Sequence, residues 1–458
     1  MNKIMLVLTL VLSAAISSFA QSSIEANVDK FIKAEMERRK IPGVSLAAVK
    51  DGKPVIVKGY GLANVEHNVP VKPETIFQSG SVGKQFTSMA VMILVEEGKI
   101  GLDEQISKYL GEVPSGWANI TIRHLLTHTG GMTDYPPTFD FRRDYSEAEL
   151  LKWAKEVPVA FAPGEKWQYS NLGYLTLGII IGKVSGKFYG DFLQERVFKP
   201  LGMTTARVIS EADIVPDRAA GYRVVKGQLK NQEWVSPSLN STADGALYLT
   251  ALDMMKWDEA LASGKLISKA GYEAMWKPVK LNSGKDHWYG FGWTVKSANG
   301  SRVIEHGGAW QGFKSYIARY PDEKLTVILF ANLENMDPGK LAHGVAEILE
   351  PKLIPKRIND PDPKVTAEFK SVFEKLIAGT VDKNTFSPEL QKALFSQPDR
   401  LFEFVKGLGP VNKFLLLEIT PGARVTYSYQ IEYEEMSLLL VIARDSAGKI
   451  VLFGLDPS

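Results

Sequence analysis

Apolar and polar positions along this chain change period several times, and the changes predict an order of elements. Residues Ile24 to Arg39 are polar but helical in period, and Ile41-Pro42-Gly43 ends them. Val44 to Val49 and Pro54 to Gly59 flank Asp51-Gly52, a strong β-hairpin signal. From Val82 to Glu97 apolar side chains fall at Val82, Phe86, Met89, Ala90 and Ile93, which is helical spacing, and Gly98 stands where such a helix would be capped. The pattern then stays mainly helical and loop-rich to about residue 285, with Thr250-Ala251-Leu252-Asp253 heading a helix through Trp257. Strand patterns return at Tyr289 to Lys296, Ser301 to Glu305, Phe313 to Tyr320 and Leu325 to Phe330, and a helix from Pro338 to Leu349 follows. Strands at both ends with helices between them predict an α+β fold: one antiparallel sheet flanked by helices, beside a helical subdomain.

Both ends of the chain break this pattern. Lys3, the apolar run Ile4 to Ile16 and Ser18-Phe19-Ala20 read as a cleavable signal peptide over residues 1–20, cut after Ala20. The run is shorter than the roughly 20 residues of a membrane-spanning helix, and no later stretch is long and apolar enough to cross a bilayer. The expectation is a periplasmic or secreted protein with no membrane span after signal cleavage. Residues 351–364 hold four prolines and read as a linker between a main domain, 21–350, and an accessory one, 365–458. The latter predicts helices over Thr366 to Ala378, Pro388 to Phe395 and Arg400 to Lys406. Strands follow at Lys413 to Ile419, Ala423 to Glu432, Met436 to Ala443 and Lys449 to Phe453, a small α+β arrangement.

Composition narrows the chemistry. With 54 Lys+Arg against 52 Asp+Glu the net charge is +2, so nothing pulls the chain toward nucleic acid. The absence of cysteine removes disulfides, thiolate nucleophiles, iron–sulfur clusters and cysteine-bound zinc. His124 and His128 are four apart, but a helical zinc-protease motif would have Glu at 125, where this chain has Leu125. No metal or cofactor is expected.

Three groups of residues remain as candidate chemistry. Ser81-Val82-Gly83-Lys84 places a hydroxyl and an amine three apart at a helix start, on one face, so the amine can take the hydroxyl proton. A capping Ser beside a solvated Lys is the plain alternative, and a second Ser-x-x-Lys at Ser446 to Lys449 lies in a turn between strands. Tyr169-Ser170-Asn171 precedes an apolar helix; a phenol beside an ammonium can titrate low enough to relay a proton. Equally, Ser170 or Asn171 could cap that helix and Tyr169 could be a buried aromatic. Glu305-His306-Gly307-Gly308-Ala309 sits at the end of a predicted strand, where the glycines allow close backbone approach.

The order Ser-x-x-Lys, Tyr-x-Asn, then a basic residue followed by x-Gly on a late strand resembles the serine β-lactamases and penicillin-binding proteins. The chain is similar in particular to the class C β-lactamase-like branch, with its D,D-carboxypeptidases, D-aminopeptidases and family VIII esterases. Ile41 to Ser45, Tyr60 to Ala63, Ile122 to Met132, Phe161 to Gly164 and Gln311-Gly312-Phe313 extend the resemblance over residues 30 to 350. It implies that Ser81 attacks a carbonyl while Lys84 and Tyr169 handle its proton. Asn171 and Gly308 would border the substrate, and the N–H groups of Ser81 and Ala309 would form an oxyanion hole. His306, where many relatives have Lys, would line the site and tune Tyr169. Relatives that grip a substrate carboxylate usually carry Thr or Ser at the position of Gly307, so an ester, amide or short peptide is a better expected substrate than a β-lactam. The accessory domain resembles the small cone-shaped modules fused to such hydrolases. Its aromatics Phe402, Phe404, Phe414, Tyr427 and Tyr429 suggest a lid or binding role or, more plainly, a core.

Two other functions are open to this sequence. One is a true β-lactamase or D,D-carboxypeptidase. The other is a catalytically silent penicillin-recognising fold used for binding, since folds outlive chemistries. An oligomeric state is not legible.

Overall fold

The computed structural model describes residues 23–298, 300–354, 358–395, 400–420, 425–434 and 436–457. The proposed signal segment 1–20 lies outside the described residues. The chain divides into two compact units, meeting between Leu353 and Ile354.

The first unit is organised by a sheet that joins the two ends of its sequence. A helix over 23–39 (α1) precedes the hairpin β1 (Gly43–Lys50) and β2 (Lys53–Asn64), with β3 (Val69–Pro70) beyond them. Asp51 and Gly52 both adopt positive φ, the geometry that folds this tight turn. After a long helical excursion come β4 (Thr294–Ala298), β5 (Ser301–Trp310), β6 (Phe313–Tyr320) and β7 (Leu325–Ala331). Strand order is β4-β5-β6-β7-β1-β2-β3 and every pairing is antiparallel. Val44 pairs with Ala331, so the sheet closes only when residues nearly 300 apart in sequence meet.

Alternation along the strands divides the core in two. Val327, Leu329 and Ala331 face the helices α1 and α5 (Pro338–Leu349), packing with Val28, Ile32, Leu341 and Val345. Ile328 and Phe330 face the other way, into the cluster built on α2 (Lys84–Glu96), α3 (Asn171–Ser185) and α4 (Ala251–Ser263). Helix α3 is buried from Leu172 to Ile181; the Ser170 hydroxyl caps it at the Gly173 N–H, and Gly186 in the left-handed region ends it. The Thr250 side chain caps α4 at Asp253, as its sequence predicts.

The α+β architecture matches the expectation, while several boundaries move. The strand predicted from Tyr289 begins only at Thr294, because Gly290 and Gly292 turn the chain first and Gly292 has φ +73°. The strand predicted to end at Glu305 runs on to Trp310, so His306 lies inside it. Short strands at Arg207–Val208, Tyr222–Val225, Gln228–Asn231 and Leu247–Leu249 interrupt the segment read as helical and loop-rich. The proline-rich stretch contributes regular structure at both ends: a 3₁₀ turn covers Pro351–Leu353, and Asp362 caps a helix that starts at Pro363.

The second unit places helices Pro363–Ile377, Pro388–Phe395 and Arg400–Gly407 with a four-stranded antiparallel meander. Its core gathers Phe369, Phe373, Tyr429, Ile431, Leu440 and Ile442. Tyr429 is buried and Phe402, Phe414 and Tyr427 pack against this core, whereas Phe404 is exposed.

Candidate active site

The site forms where a tight turn meets an unpaired strand edge. Strand β4 pairs only with residues 301 to 305 of β5, so His306 to Trp310 have β6 on one side and lie against the 3₁₀ turn Gly80–Gly83 on the other. Glycine makes this approach possible. Gly80 has φ +49°, and a Cβ there would lie 2.4 Å from the Ala309 nitrogen; a Cβ on Gly308 would lie 2.1 Å from the Ser79 carbonyl and 3.1 Å from the Ser81 nitrogen. The backbone nitrogens of Ser81 and Ala309 are thereby brought to one place. The Ser79 hydroxyl donates to the Gly245 carbonyl at 2.8 Å and fixes the turn from behind.

Ser81 lies within this turn and Lys84 opens α2 directly after it, so their spacing sets them side by side. The Lys84 amine lies 3.1 Å from Ser81 Oγ, 2.6 Å from Asn171 Oδ1 and 2.5 Å from the Asp244 carbonyl. Lys84 is fully buried, and burial pulls its pKa down to about 8 against the opposing pull of the Asp244 and Asp134 carboxylates. A neutral amine has two protons and one lone pair. Directing the protons at Asn171 Oδ1 and the Asp244 carbonyl leaves the lone pair for the Ser81 hydroxyl. Asn171 is held from its other end as well, its Nδ2 donating to Asp134 Oδ2 at 2.9 Å.

Tyr169 lies beside this pair: the Lys84 amine is 4.9 Å from its ring centroid. Its hydroxyl is buried and makes no hydrogen bond of normal geometry among the described residues. Here the structure corrects the sequence reading, which had the phenol titrating low. Burial raises its pKa well above the usual value; only the Ser81 hydroxyl pulls it down, and the Asp244 and Asp134 carboxylates push it further up. Tyr169 is a neutral phenol, able to donate or pass on a proton but not to act as a standing phenolate.

His306 is buried and neutral, its pKa pushed down to about 4 by burial and by the charge of Lys84. Its Nε2 lies 2.8 Å from Tyr289 Oη and its Nδ1 2.6 Å from the Gly307 carbonyl. Its ring is 6.3 Å, centroid to centroid, from that of Tyr169, so it reaches Tyr169 by ring packing and carries no positive charge to tune it.

Sequence reasoning missed four residues of this site. His128, weighed there as a metal candidate and otherwise only part of the stretch that carries the resemblance, is buried among Tyr169, Tyr174 and Tyr289. Its Nδ1 accepts the Ser170 N–H at 3.1 Å, and its Nε2 lies 3.2 Å from Tyr289 Oη. Tyr289, Asp134 and Asp244 complete the set. The Thr127-His128-Thr129 stretch in the loop before Met132 was the available signal, and it was used only for the resemblance. Above Ser81 opens a cavity of about 230 Å³, with Asp134 and Asp244 on its wall beside the apolar surfaces of Tyr135, Phe141, Leu239 and Trp310. No group of side chains able to hold a metal ion occurs among the described residues.

A helix-flanked antiparallel sheet, with a serine and a buried lysine at the start of one core helix and a tyrosine beside them, defines the serine hydrolases related to penicillin-binding proteins. The chain belongs to the β-lactamase family, whose model matches residues 28–350. It is 27% identical over 436 residues to penicillin-binding protein 4* of Bacillus subtilis, covering 91% of this chain and 94% of that one. Among solved structures it is similar to the octameric penicillin-binding protein homologue from Pyrococcus abyssi, with TM-score 0.64, 25% identity and coverage of 94% and 95%. It is also similar to a D-amino acid amidase from Ochrobactrum anthropi complexed with L-phenylalanine amide, with TM-score 0.61, 25% identity and coverage of 71% of this chain and 97% of that one.

Proposed function

We propose that this chain is an exported hydrolase that cleaves a small ester or amide through an acyl-enzyme on Ser81. The observation that carries the reading is the Lys84 amine, 3.1 Å from the Ser81 hydroxyl and with its pKa pulled down to about 8, near the pH at which a general base works best. Ser81 Oγ attacks the carbonyl carbon while Lys84 takes its proton, and the N–H groups of Ser81 and Ala309 hold the oxyanion. The neutral Tyr169 phenol relays the proton to the leaving alcohol or amine. Water then attacks the ester carbonyl, giving a proton to Lys84; the bond from the carbonyl carbon to Ser81 Oγ breaks, Ser81 Oγ takes that proton back from Lys84, and the acid product is released. Asn171, fixed between Lys84 and Asp134, orients the substrate.

The cavity wall favours one kind of acyl group. Asp134 and Asp244 disfavour a substrate carboxylate and favour a free ammonium, while Tyr135, Phe141 and Trp310 receive an apolar side chain. The similarity to a D-amino acid amidase supports amides and esters of amino acids ahead of β-lactams. The test is a panel of p-nitrophenyl acetate, D- and L-phenylalanine amide and nitrocefin, run on wild type and Ser81→Ala. Turnover of the amide or ester lost in Ser81→Ala supports the proposal; equal behaviour of the two proteins throughout sinks it.

A further inference from the structure

A second cavity, of about 480 Å³, is lined by Tyr248, which belongs to one apolar cluster with Ala246 and Trp310 of the active-site cavity wall. That volume is within the range of small-molecule sites, roughly 300–1,000 Å³. Its walls come from the Asn64–His67 turn, the Arg218-Ala219-Ala220-Gly221 segment and Asn231-Gln232, and they are pinned together. The Tyr222 hydroxyl donates to Glu66 Oε2 at 2.9 Å and accepts the Val65 N–H at 2.7 Å. Asn332 Nδ2 meets the carbonyls of Leu62 and Ala220 at 3.0 and 3.1 Å, tying the two walls from below. The cavity therefore needs no folding step to receive a ligand.

Its floor has unmet hydrogen-bonding capacity. Gln78, 4% exposed, and Gln232 both line it, and each carries a buried amide oxygen with no hydrogen-bond partner among the described residues. Leaving such an acceptor empty costs stability that an entering donor restores. The last torsion of a Gln side chain is soft, so either oxygen can turn toward a donor that enters. The rim holds charges of both signs, Glu66 and Glu211 against Arg218, so a simple anion or cation gains at one point what it loses at the next. What fits is a neutral group rich in hydroxyl donors that can also accept from Arg218 and Asn231.

We propose that this cavity is a saccharide-binding site, separate from the hydrolytic one. Gln78 and Gln232 accept from ring hydroxyls, and Arg218 and Asn231 donate to ring oxygens. It stands or falls independently of the hydrolase reading.

The probe is N,N′-diacetylchitobiose, with cellobiose as a second saccharide and 6-aminohexanoate as a charged control. Binding to the full chain is followed by calorimetry and ligand-observed NMR. The expected result is millimolar or tighter binding of a saccharide, unchanged in Ser81→Ala and weakened about tenfold or more in Gln78→Met and in Gln232→Met, the effect of losing one or two hydrogen bonds. Thermal unfolding of each Met variant shows that it is folded; Gln232→Met alone suffices if Gln78→Met is not. Absence of saccharide binding by wild type, binding unchanged in the folded Met variants, or binding of the charged control alone would each overturn the assignment.

Discussion

His128 and His306, far apart in sequence, are joined through a single phenol: Tyr289 Oη lies 3.2 Å from one imidazole and 2.8 Å from the other. The chain of bonds has a direction. His128 Nδ1 must accept the Ser170 N–H, so its proton sits on Nε2 and is donated to Tyr289; Tyr289 then donates to His306 Nε2, leaving His306 Nδ1–H for the Gly307 carbonyl. Both imidazoles are thereby fixed as neutral tautomers, consistent with the depressed pKa of each. One end holds the backbone between Tyr169 and Asn171, and the other holds β5 beside Ala309.

Tyr289→Phe keeps the ring and removes both bonds. It should destabilise the protein by about 1–3 kcal/mol, the cost of leaving a buried polar group unpaired. It should also reduce kcat on an activated ester more than it raises KM. Urea denaturation and steady-state kinetics measure the two effects, and unchanged values of both would show that Tyr289 is packing alone.

Activity should rise with pH through the titration of Lys84. The amine accepts the Ser81 proton only when neutral, and burial lowers its pKa to about 8. Below that midpoint kcat/KM should fall about tenfold per pH unit as the ammonium takes over. Lys84→Gln should remove this limb together with most of the activity. A limb centred near pH 4 would instead point to His306 as the titrating group.

Much of this site was legible because its key contact is local. Ser81 and Lys84 are three positions apart, and no tertiary arrangement is needed to place them on one face. The alternation that predicted β6 and β7 is equally local. What the sequence hid depends on chain segments that meet only on folding. Asp134 acts through Asn171 and Asp244 through its carbonyl, and neither lies in a pattern of its own. Gly307 and Gly308 looked like the end of a strand, since glycine weakens strands. In the fold Gly308 is where β5 passes closest to the Ser81 turn.

A second pair, buried at Glu305 and half-buried at His343, lies on the opposite side of β5. Glu305 and His343 form an ion pair at 3.1 Å, with Tyr320 Oη 2.5 Å from His343 Nδ1. Burial pushes His343 down, but the Glu305 charge outweighs it and the net shift is upward. For Glu305 burial pushes up, and His343 reverses the sign. The His343 contribution is therefore full below its unfolded value near 6.5 and is lost as pH rises through the higher folded pKa. That of Glu305 is present above about 4.5 and is lost on acidification through the lower folded pKa. Wild-type Tm should be greatest between these limits, and His343→Gln should flatten the alkaline decline. Parallel Tm profiles for the two proteins would contradict this coupling.

Gly307 offers a sharper test of why this site lacks a carboxylate-binding hydroxyl. Placing Thr there looks from sequence like a simple route to β-lactam recognition. In the fold a Cβ at Gly307 would sit 3.2 Å from the ring of Tyr316, its pairing partner on β6. Two carboxylates also face the cavity. Gly307→Thr alone should thus destabilise by about 1–3 kcal/mol through overpacking and give no gain in nitrocefin turnover. Adding Tyr316→Leu relieves the contact and should recover part of the stability. Replacing Asp134 by Asn in that background removes one repelling charge, so nitrocefin turnover should improve only there. A gain in the single Gly307→Thr variant would show that the missing hydroxyl, not the ring or the carboxylates, decides the substrate.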